Sequence, residues 1–297
     1  MATNSNRTPS DPAGQTGHGG AFPTDALEDF ARAYPAGIVK LAHQLPGDAL
    51  LSTDALADLA AALPADSIEY NPGRLPIGIA IEDIPPPALG VVETIRRIGT
   101  ADSWVVLKRI EQHPAYAALL DEVLTDVARI VTPRTGAMLQ REGFIFLSSP
   151  HSVTPFHFDP EHNILLQIRG SKTMTLFPQA DEAMFDPRVH EAFHRGEHSR
   201  NLPWRDEYAA RGEAVTLHPG DAVHVPVKTP HWVQNGPEVS VSLSVTWRSE
   251  WSYAEADARA LNRMLRRIGV TPKSPAPWPA RNRGKSTAWR VVRRLGG

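Results

Sequence analysis

The sequence contains no cysteine. This absence excludes disulfide bonds, iron–sulfur clusters, zinc sites built on thiolates, and cysteine nucleophiles. Any metal ion must therefore be held by histidine, by carboxylates or by water. A chain without cysteine is compatible with a reducing compartment, and we expect a cytoplasmic location.

Long apolar runs are also missing, since no stretch approaches the ~18 apolar residues that a membrane span requires. The N-terminal segment lacks the apolar core of a secretory signal. We therefore expect no membrane partner. Hydrophobic residues make up 41% and charged residues 22% of the 297 residues, which excludes a wholly disordered chain and is ordinary for a globular protein.

Acidic residues are absent after Asp257, whereas residues 258–297 carry eleven lysines and arginines. The net charge of −2 for the whole chain therefore divides into −13 for residues 1–257 and +11 for the remainder. Such a basic end can contact nucleic acid, an acidic partner or the acidic body of its own fold. A solvated or self-docked end is the simplest interpretation.

The composition divides the chain into three regions. Residues 1–24 are expected to form a disordered tail, because they contain too few large apolar residues to offset the entropy of ordering. Residues 25–252 are expected to form one domain with an N-terminal helical layer. Residues 253–297 are expected to form a C-terminal helix, over 253–269, and a basic tail rich in proline and arginine.

Helical periodicity dominates the first half of the domain and gives way to strand patterns. The expected elements there are helices at 25–33, 52–63, 91–98 and 114–131, and strands at 36–43 and 104–110. From about residue 142 short apolar and β-branched segments alternate with Pro, Gly, Asn or Asp. Such a series predicts a sandwich, barrel or jelly roll.

A histidine and an aspartate two residues apart begin the candidate site. His157 and Asp159 lie in the segment TPFHFDPEHNILLQIRGSK. On a strand this spacing places both side chains on one face, about 7 Å apart along the chain, so that both can reach one metal ion. A second histidine would complete a set of two imidazoles and one carboxylate. That set leaves coordination positions open, which suits ferrous iron that activates oxygen.

Two histidines compete for the third ligand position in the segment GDAVHVPVKTPHWVQN. His224 lies in the middle of a predicted strand among valines, where a core histidine is a reasonable interpretation. His231 follows a turn at the start of the next strand, and such positions lie at the mouth of a barrel. This favours His231 and leaves His224 open.

A long insertion between two predicted strands, at 181–200, carries three further histidines. His190, His194 and His198 have helical spacing and could bind a second metal ion. A surface helix or a lid over substrate, with incidental histidines, is the simpler interpretation.

The two motif segments together resemble the JmjC-type branch of the cupin superfamily, whose members are Fe(II)- and 2-oxoglutarate-dependent oxygenases. The family pattern is HxD, a lysine fifteen residues after that histidine, and a later histidine in a segment that begins with Gly-Asp. His157, Asp159, Lys172 and His231 match this pattern, and the similarity covers about residues 140–250. It implies a mainly β fold with flanking helices, a double-stranded β-helix of the jelly-roll or cupin type.

The resemblance also implies the roles of these residues. The expected Fe(II) ligands are His157, Asp159 and His231. The residues expected to hold 2-oxoglutarate are Thr154, Asn163, Lys172 and Thr246. Lys172 would neutralise the far carboxylate of this cosubstrate, because an isolated buried carboxylate is costly.

The implied reaction uses O2 to hydroxylate an aliphatic C–H bond, with release of succinate and CO2. Hydroxylation is favoured over demethylation, because no chromatin-reading domain is evident, and the substrate is a protein, a peptide or a small molecule. C-terminal helices often dimerise in relatives, so a homodimer is expected. Two alternatives stay open: a non-catalytic cupin-like sensor or regulator whose tail contacts nucleic acid, and a cupin enzyme that does not use 2-oxoglutarate.

Overall fold

The computed structural model describes residues 20–80, 83–179 and 184–295. The α-helices are α1 Thr24–Ala33, α2 Thr53–Ala62, α3 Val91–Arg96, α4 Pro114–Thr135, α5 Pro187–Phe193, α6 Glu250–Arg267 and α7 Arg283–Leu295. The strands are β1 Val39–Ala42, β2 Ile68–Pro72, β3 Ser103–Lys108, β4 Met138–Ser148, β5 Val153–His157, β6 His162–Arg169, β7 Lys172–Leu176, β8 Glu213–Leu217, β9 Asp221–Val225, β10 His231–Asn235 and β11 Ser240–Ser249.

These strands form two antiparallel sheets. The larger sheet has the order β1–β9–β6–β11–β4–β3–β2, and the smaller has the order β5–β10–β7–β8. The chain crosses between the sheets repeatedly, since β5 and β7 belong to the smaller sheet and β6 to the larger. This arrangement confirms the expected mainly β jelly-roll fold with flanking helices.

Strand β11 shows how the sequence builds the two layers. Leu243, Val245 and Trp247 belong to the main core, which also contains the apolar residues of α1, α2 and α4. The alternate residues Ser244 and Thr246 line a cavity on the other face of the same strand. Because side chains alternate between the two faces of a strand, one face of β11 packs against the apolar helical layer and the other faces the polar cavity.

The N-terminal boundary differs from the expected tail at residues 1–24. Residues 1–19 lie outside the described part of the chain. Ala21 and Phe22 are buried, and the Phe22 N–H donates to a carboxylate oxygen of Asp126 on α4 at 3.1 Å. The expectation of a disordered tail is therefore wrong from Ala21 onwards, because a single phenylalanine docks this segment on the helical layer.

The C-terminal region also differs from the expected single helix with a tail. A second helix, α7, packs against α6 through Trp289, which is buried together with Ala260 and Leu261. The segment RGKSTAWRVVRRL is rich in arginine and follows a proline-rich stretch, so the sequence suggests a tail although Trp289 and Val292 lie on one face of the helix.

Strand β2 was not expected from the sequence, because the segment IEYNP is half-exposed and lies at the edge of the larger sheet. A proline at its end fits an edge strand, where a backbone N–H is not needed by a neighbour. Helix α4 continues to Thr135, four residues past its expected end. None of the described helices is both long enough and apolar enough to cross a lipid bilayer.

The turn between β6 and β7 gives a test of this architecture. Gly170 has a φ of +65°, and a Cβ added there would overlap the carbonyl oxygen of Val239. Gly47 has a φ of +91° but no neighbour within 4 Å of such a Cβ. Gly170→Ala should lower the free energy of unfolding by about 2–4 kcal/mol, and Gly47→Ala by about 1–2 kcal/mol. Urea denaturation measures both, and equal losses would contradict the contact with Val239.

Candidate metal centre

The pairing of β5 with β10 creates the centre of the site. His231 lies opposite His157 in this antiparallel pair, and the centroids of the two imidazole rings are 4.2 Å apart. Asp159 follows β5, and its Oδ2 lies 3.9 Å from Nε2 of His157 and 3.8 Å from Nε2 of His231. All three ligand atoms lie within 4.8 Å of one another, so they converge on a volume suited to one cation.

Backbone carbonyls fix the orientation of both imidazoles. Nδ1 of His157 lies 2.7 Å from the oxygen of Pro155, and Nδ1 of His231 lies 2.9 Å from the oxygen of Thr229. A carbonyl only accepts, so each Nδ1 carries the proton and donates it. Each Nε2 then offers a lone pair to a metal ion. Burial also lowers the pKa of His157 to about 4, which keeps this imidazole neutral at neutral pH.

Arg200 orients the carboxylate. Its Nη1 lies 2.7 Å from Oδ1 of Asp159, which leaves Oδ2 facing the two imidazoles. Burial by itself would raise the pKa of Asp159, but the charge and hydrogen bond of the Arg200 guanidinium oppose it, and this pKa lies below its usual value. The carboxylate is therefore ionised, as a ligand of a divalent cation must be.

Arg200 was missed in the sequence, because it lies in the insertion, 41 residues beyond Asp159. An antiparallel bridge between His157 and Asn201 carries it to the site. Glu161 was missed as well, although it lies two residues after Asp159 and lines the same cavity. Burial and the nearby Asp159 raise the pKa of Glu161 to about 7. Neither residue belongs to a motif that spacing alone could have revealed.

A cavity of about 490 Å³ lies next to these ligands, between the two sheets. Trp104, Phe144 and Phe146 form an aromatic wall along β3 and β4. Polar side chains line the rest of the cavity. They include three of the residues expected to hold the cosubstrate: Thr154, Asn163 and Thr246.

Lys172 is buried at the start of β7, with 4% of its surface exposed. Its Nζ lies 5.9 Å from the ring centroid of Phe146, a residue of the cavity wall. Among the described residues no carboxylate lies within ion-pair distance of this Nζ, and burial lowers the pKa of Lys172 to about 7. A buried lysine without a counter-charge favours the binding of an anion beside it.

Asn163 and Thr246 lie opposite each other on β6 and β11. Oδ1 of Asn163 accepts a hydrogen bond from the Ser244 hydroxyl at 2.8 Å, which leaves its amide N–H groups to other partners. The Thr246 hydroxyl donates to the backbone oxygen of Glu142 at 3.2 Å. Thr246 can therefore offer a ligand only the lone pairs of its oxygen.

His224 does not join the centre, because it points to the opposite face of the larger sheet. Its Nδ1 donates to the backbone oxygen of Gly37 at 2.9 Å. Its ring packs 5.2 Å from that of Phe30 and 5.5 Å from that of Tyr34, measured between centroids. His231, rather than His224, is the histidine that the structure brings to His157.

The histidines of the insertion do not form a second metal site within the described part of the chain, where three ligand groups meet only at the centre above. The expected surface helix corresponds to α5, yet His190 and Glu191 on it are buried. Glu191 accepts from Arg266 of α6 at 2.7 Å, so this helix is clamped to the C-terminal region rather than free on the surface.

Comparison with known proteins identifies relatives of this arrangement. The profile of the family described as "Cupin-like domain" matches residues 98–253, slightly more than half of the chain. Lysine-specific demethylase JMJ31 of Arabidopsis thaliana is 26% identical over 140 residues, which are 43% of this chain and 25% of that protein. Jumonji C domain-containing protein 5 of Drosophila melanogaster is 31% identical over 110 residues, 33% of this chain and 26% of that protein. The chain thus matches about a quarter of the length of these curated relatives.

Solved structures share the fold. The Escherichia coli protein YcfD is 17% identical, with a TM-score of 0.51 over 89% of this chain and 66% of its own. A structure of YcfD described as a ribosomal oxygenase in complex with cobalt and 2-oxoglutarate is 16% identical, with a TM-score of 0.50 over 89% of this chain and 65% of its own. At these identities the likeness concerns the fold.

The two competing histidines give a direct test of the centre. His231→Ala should weaken Co(II) binding by more than about 100-fold, because it removes a ligand atom. His224→Ala should leave Co(II) binding within about 3-fold, since the residue lies on the other face of the sheet. Visible absorption of bound Co(II) measures both, with circular dichroism as the check on folding. Loss of binding in the His224 variant alone would refute the assignment.

Proposed function

The chain belongs to the cupin-like domain family, and we propose that it is an oxygenase that uses Fe(II) and 2-oxoglutarate to hydroxylate an aliphatic C–H bond. One observation carries the proposal: two imidazoles and a carboxylate converge beside a cavity, and the buried Lys172, which has no ion-pair partner among the described residues, lies near the wall of that cavity. The complex of YcfD with cobalt and 2-oxoglutarate, on the same fold, supports it.

The donor set fits ferrous iron. Two imidazole nitrogens and one carboxylate on one side of a cation leave positions open on the other side, which is the ligand set of non-haem Fe(II) oxygenases. The ligands are His157, Asp159 and His231, and the bond from Arg200 to Asp159 supports the carboxylate as outer partners of metal ligands do. When bound, iron with 2-oxoglutarate and O2 supplies the oxidation of C–H to alcohol, with release of succinate and CO2.

Lys172 and Thr154 fit the far carboxylate of 2-oxoglutarate. A carboxylate in a buried pocket needs a cation and hydrogen-bond donors to offset its lost hydration. Lys172, whose Nζ lies 5.9 Å from the ring centroid of Phe146 in the cavity wall, supplies the cation, and the Thr154 hydroxyl lines that cavity from β5. The amide N–H groups of Asn163, for which the described part of the chain offers no acceptor, serve the end of the cosubstrate nearer to the metal, and Thr246 completes the polar wall.

The aromatic wall has a separate role. Trp104, Phe144 and Phe146 exclude water from one side of the cavity, which protects a C–H oxidation from side reactions. A protein, a peptide or a small molecule presents its C–H bond there. Hydroxylation and demethylation begin with the same oxidation, and they differ in product, since a hydroxylated N-methyl group is released as formaldehyde.

An anaerobic titration of the metal-free protein with Fe(II) and 2-oxoglutarate tests the proposal. Chelation should give a visible metal-to-ligand charge-transfer band, and His157→Ala should not give it because one ligand is missing. Iron binding without the band would refute the use of 2-oxoglutarate and favour another cupin chemistry. Absence of metal binding would favour a non-catalytic sensor. Formaldehyde release in the presence of O2 would favour demethylation.

The pKa of Lys172 predicts how 2-oxoglutarate binding depends on pH. Without ligand this pKa is about 7. A bound carboxylate raises the pKa of Lys172, so above pH 7 this lysine takes up a proton when 2-oxoglutarate binds. The dissociation constant of the Mn(II)-loaded protein for 2-oxoglutarate should therefore rise roughly 20-fold from about pH 6.5 to about pH 8.5. Calorimetry at both pH values measures this change.

Two variants control that experiment. Lys172→Arg stays charged throughout this range, so its dissociation constant should be nearly independent of pH. Lys172→Met has no titrating group and should bind weakly at both values. A wild-type profile parallel to that of Lys172→Met would show that another group titrates and that Lys172 does not face the cosubstrate.

A further inference from the structure

The nine arginines among the eleven basic residues after Asp257 divide into two sets in the structure. The arginines of α6 contact acidic residues of the insertion or of their own helix: Arg259 with Glu255, Arg263 and Arg267 with Glu197, and Arg266 with Glu191. These cations are therefore neutralised within the fold. The basic residues of α6 therefore contact the acidic part of their own chain, as one of the interpretations of the basic end predicts.

The arginines in and before α7 form the second set. They line a groove of about 670 Å³ between α6 and α7: Arg281, Arg283, Arg290, Arg293 and Arg294. Arg290 pairs with Asp257 at 2.8 Å. Arg283, Arg293 and Arg294 are exposed, and in the described part of the chain no carboxylate lies within ion-pair distance of them. Glu250 and Asp257 are the acidic residues of the groove, so its charge is positive.

The spacing of these guanidinium groups suits an extended anion. Arg283 and Arg294 lie eleven residues apart on one helix, which corresponds to about 16 Å along its axis. Arginine presents a planar fork of donors that matches phosphate oxygens, and it is weakly hydrated compared with lysine. The hydroxyl of Thr287 and the ring of Tyr253 add polar and flat surfaces to the same groove.

The packing of α7 disfavours a lipid surface as the partner. An interfacial helix inserts its apolar face among acyl chains. On α7 that face contains Trp289 and Val292, which already pack against α6. Val291 and Leu295 are the large apolar side chains of α7 that remain exposed, and two residues give too little area for stable insertion.

We propose that the groove between α6 and α7 binds the phosphodiester backbone of nucleic acid, without reading its sequence. The net charge of −13 over residues 1–257 opposes the binding of a polyanion to the rest of the chain and favours this face. The proposal does not depend on the chemistry of the metal centre.

Binding of the full-length protein to labelled nucleic acid tests this. Fluorescence anisotropy with a DNA duplex of about 20 base pairs and a single-stranded RNA of similar length should show affinity that falls steeply between about 50 and 200 mM salt. The triple variant Arg283→Gln, Arg293→Gln, Arg294→Gln should lose at least about 10-fold in affinity. Its plot of log affinity against log salt should be shallower by about 2–3 for the duplex.

A matched variant separates this groove from total charge. Arg32→Gln, Arg96→Gln and Arg169→Gln change three exposed arginines on α1, α3 and β6, and thus alter the net charge equally. Affinity within about 2-fold of wild type supports the proposal, and a loss equal to that of the α7 variant overturns it.

Three other outcomes also overturn the proposal. The first is the absence of nucleic-acid binding at low salt. The second is tighter binding to vesicles that contain phosphatidylserine, which would identify a membrane surface. The third is a change in sedimentation of the α7 variant alone, which would assign these arginines to an interface between two copies of the chain.

Discussion

The antiparallel pairing of β5 with β10 is the constraint on which the site depends. This pairing sets His157 opposite His231, and the turn after β5 returns Asp159 to both of them. A shift of one residue in register would move one imidazole to the other face of the sheet and dismantle the ligand set. The rest of the fold holds this register, since β10 is also paired with β7 along five residues, from His231 to Asn235.

The sequence alone was sufficient for those parts of the protein that follow from periodicity or from fixed spacing. The strands after residue 142 and the long helix α4 were evident because their apolar residues repeat at intervals of two and of 3.6. The family pattern located His157, Asp159, Lys172 and His231 together. Spacing did not decide between His224 and His231. The place of His231 after a turn and the family pattern favoured it, and the alternation of β9, which turns His224 towards Phe30, agrees with that choice.

The parts that could not be predicted depend on contacts between distant segments. Arg200 reaches Asp159 because the insertion crosses back over β5, and no local signal marks that crossing. Helix α7 was hidden because its apolar face is narrow, with Trp289 and Val292 packed on α6, and the surrounding sequence is rich in arginine and proline. Phe22 became part of the core for a similar reason, through a docking site on α4.

Both imidazoles of the candidate metal centre are oriented by the backbone carbonyl two residues earlier in the chain, at Pro155 and Thr229. The tautomer of each imidazole is thus fixed by a backbone carbonyl and does not depend on the identity of a neighbouring side chain. The surrounding cavity residues are free to change in size and polarity over evolution without disturbing the protonation of the ligands. Such a separation would let the cavity lining vary on this fold while the three side chains of the candidate metal centre keep their geometry.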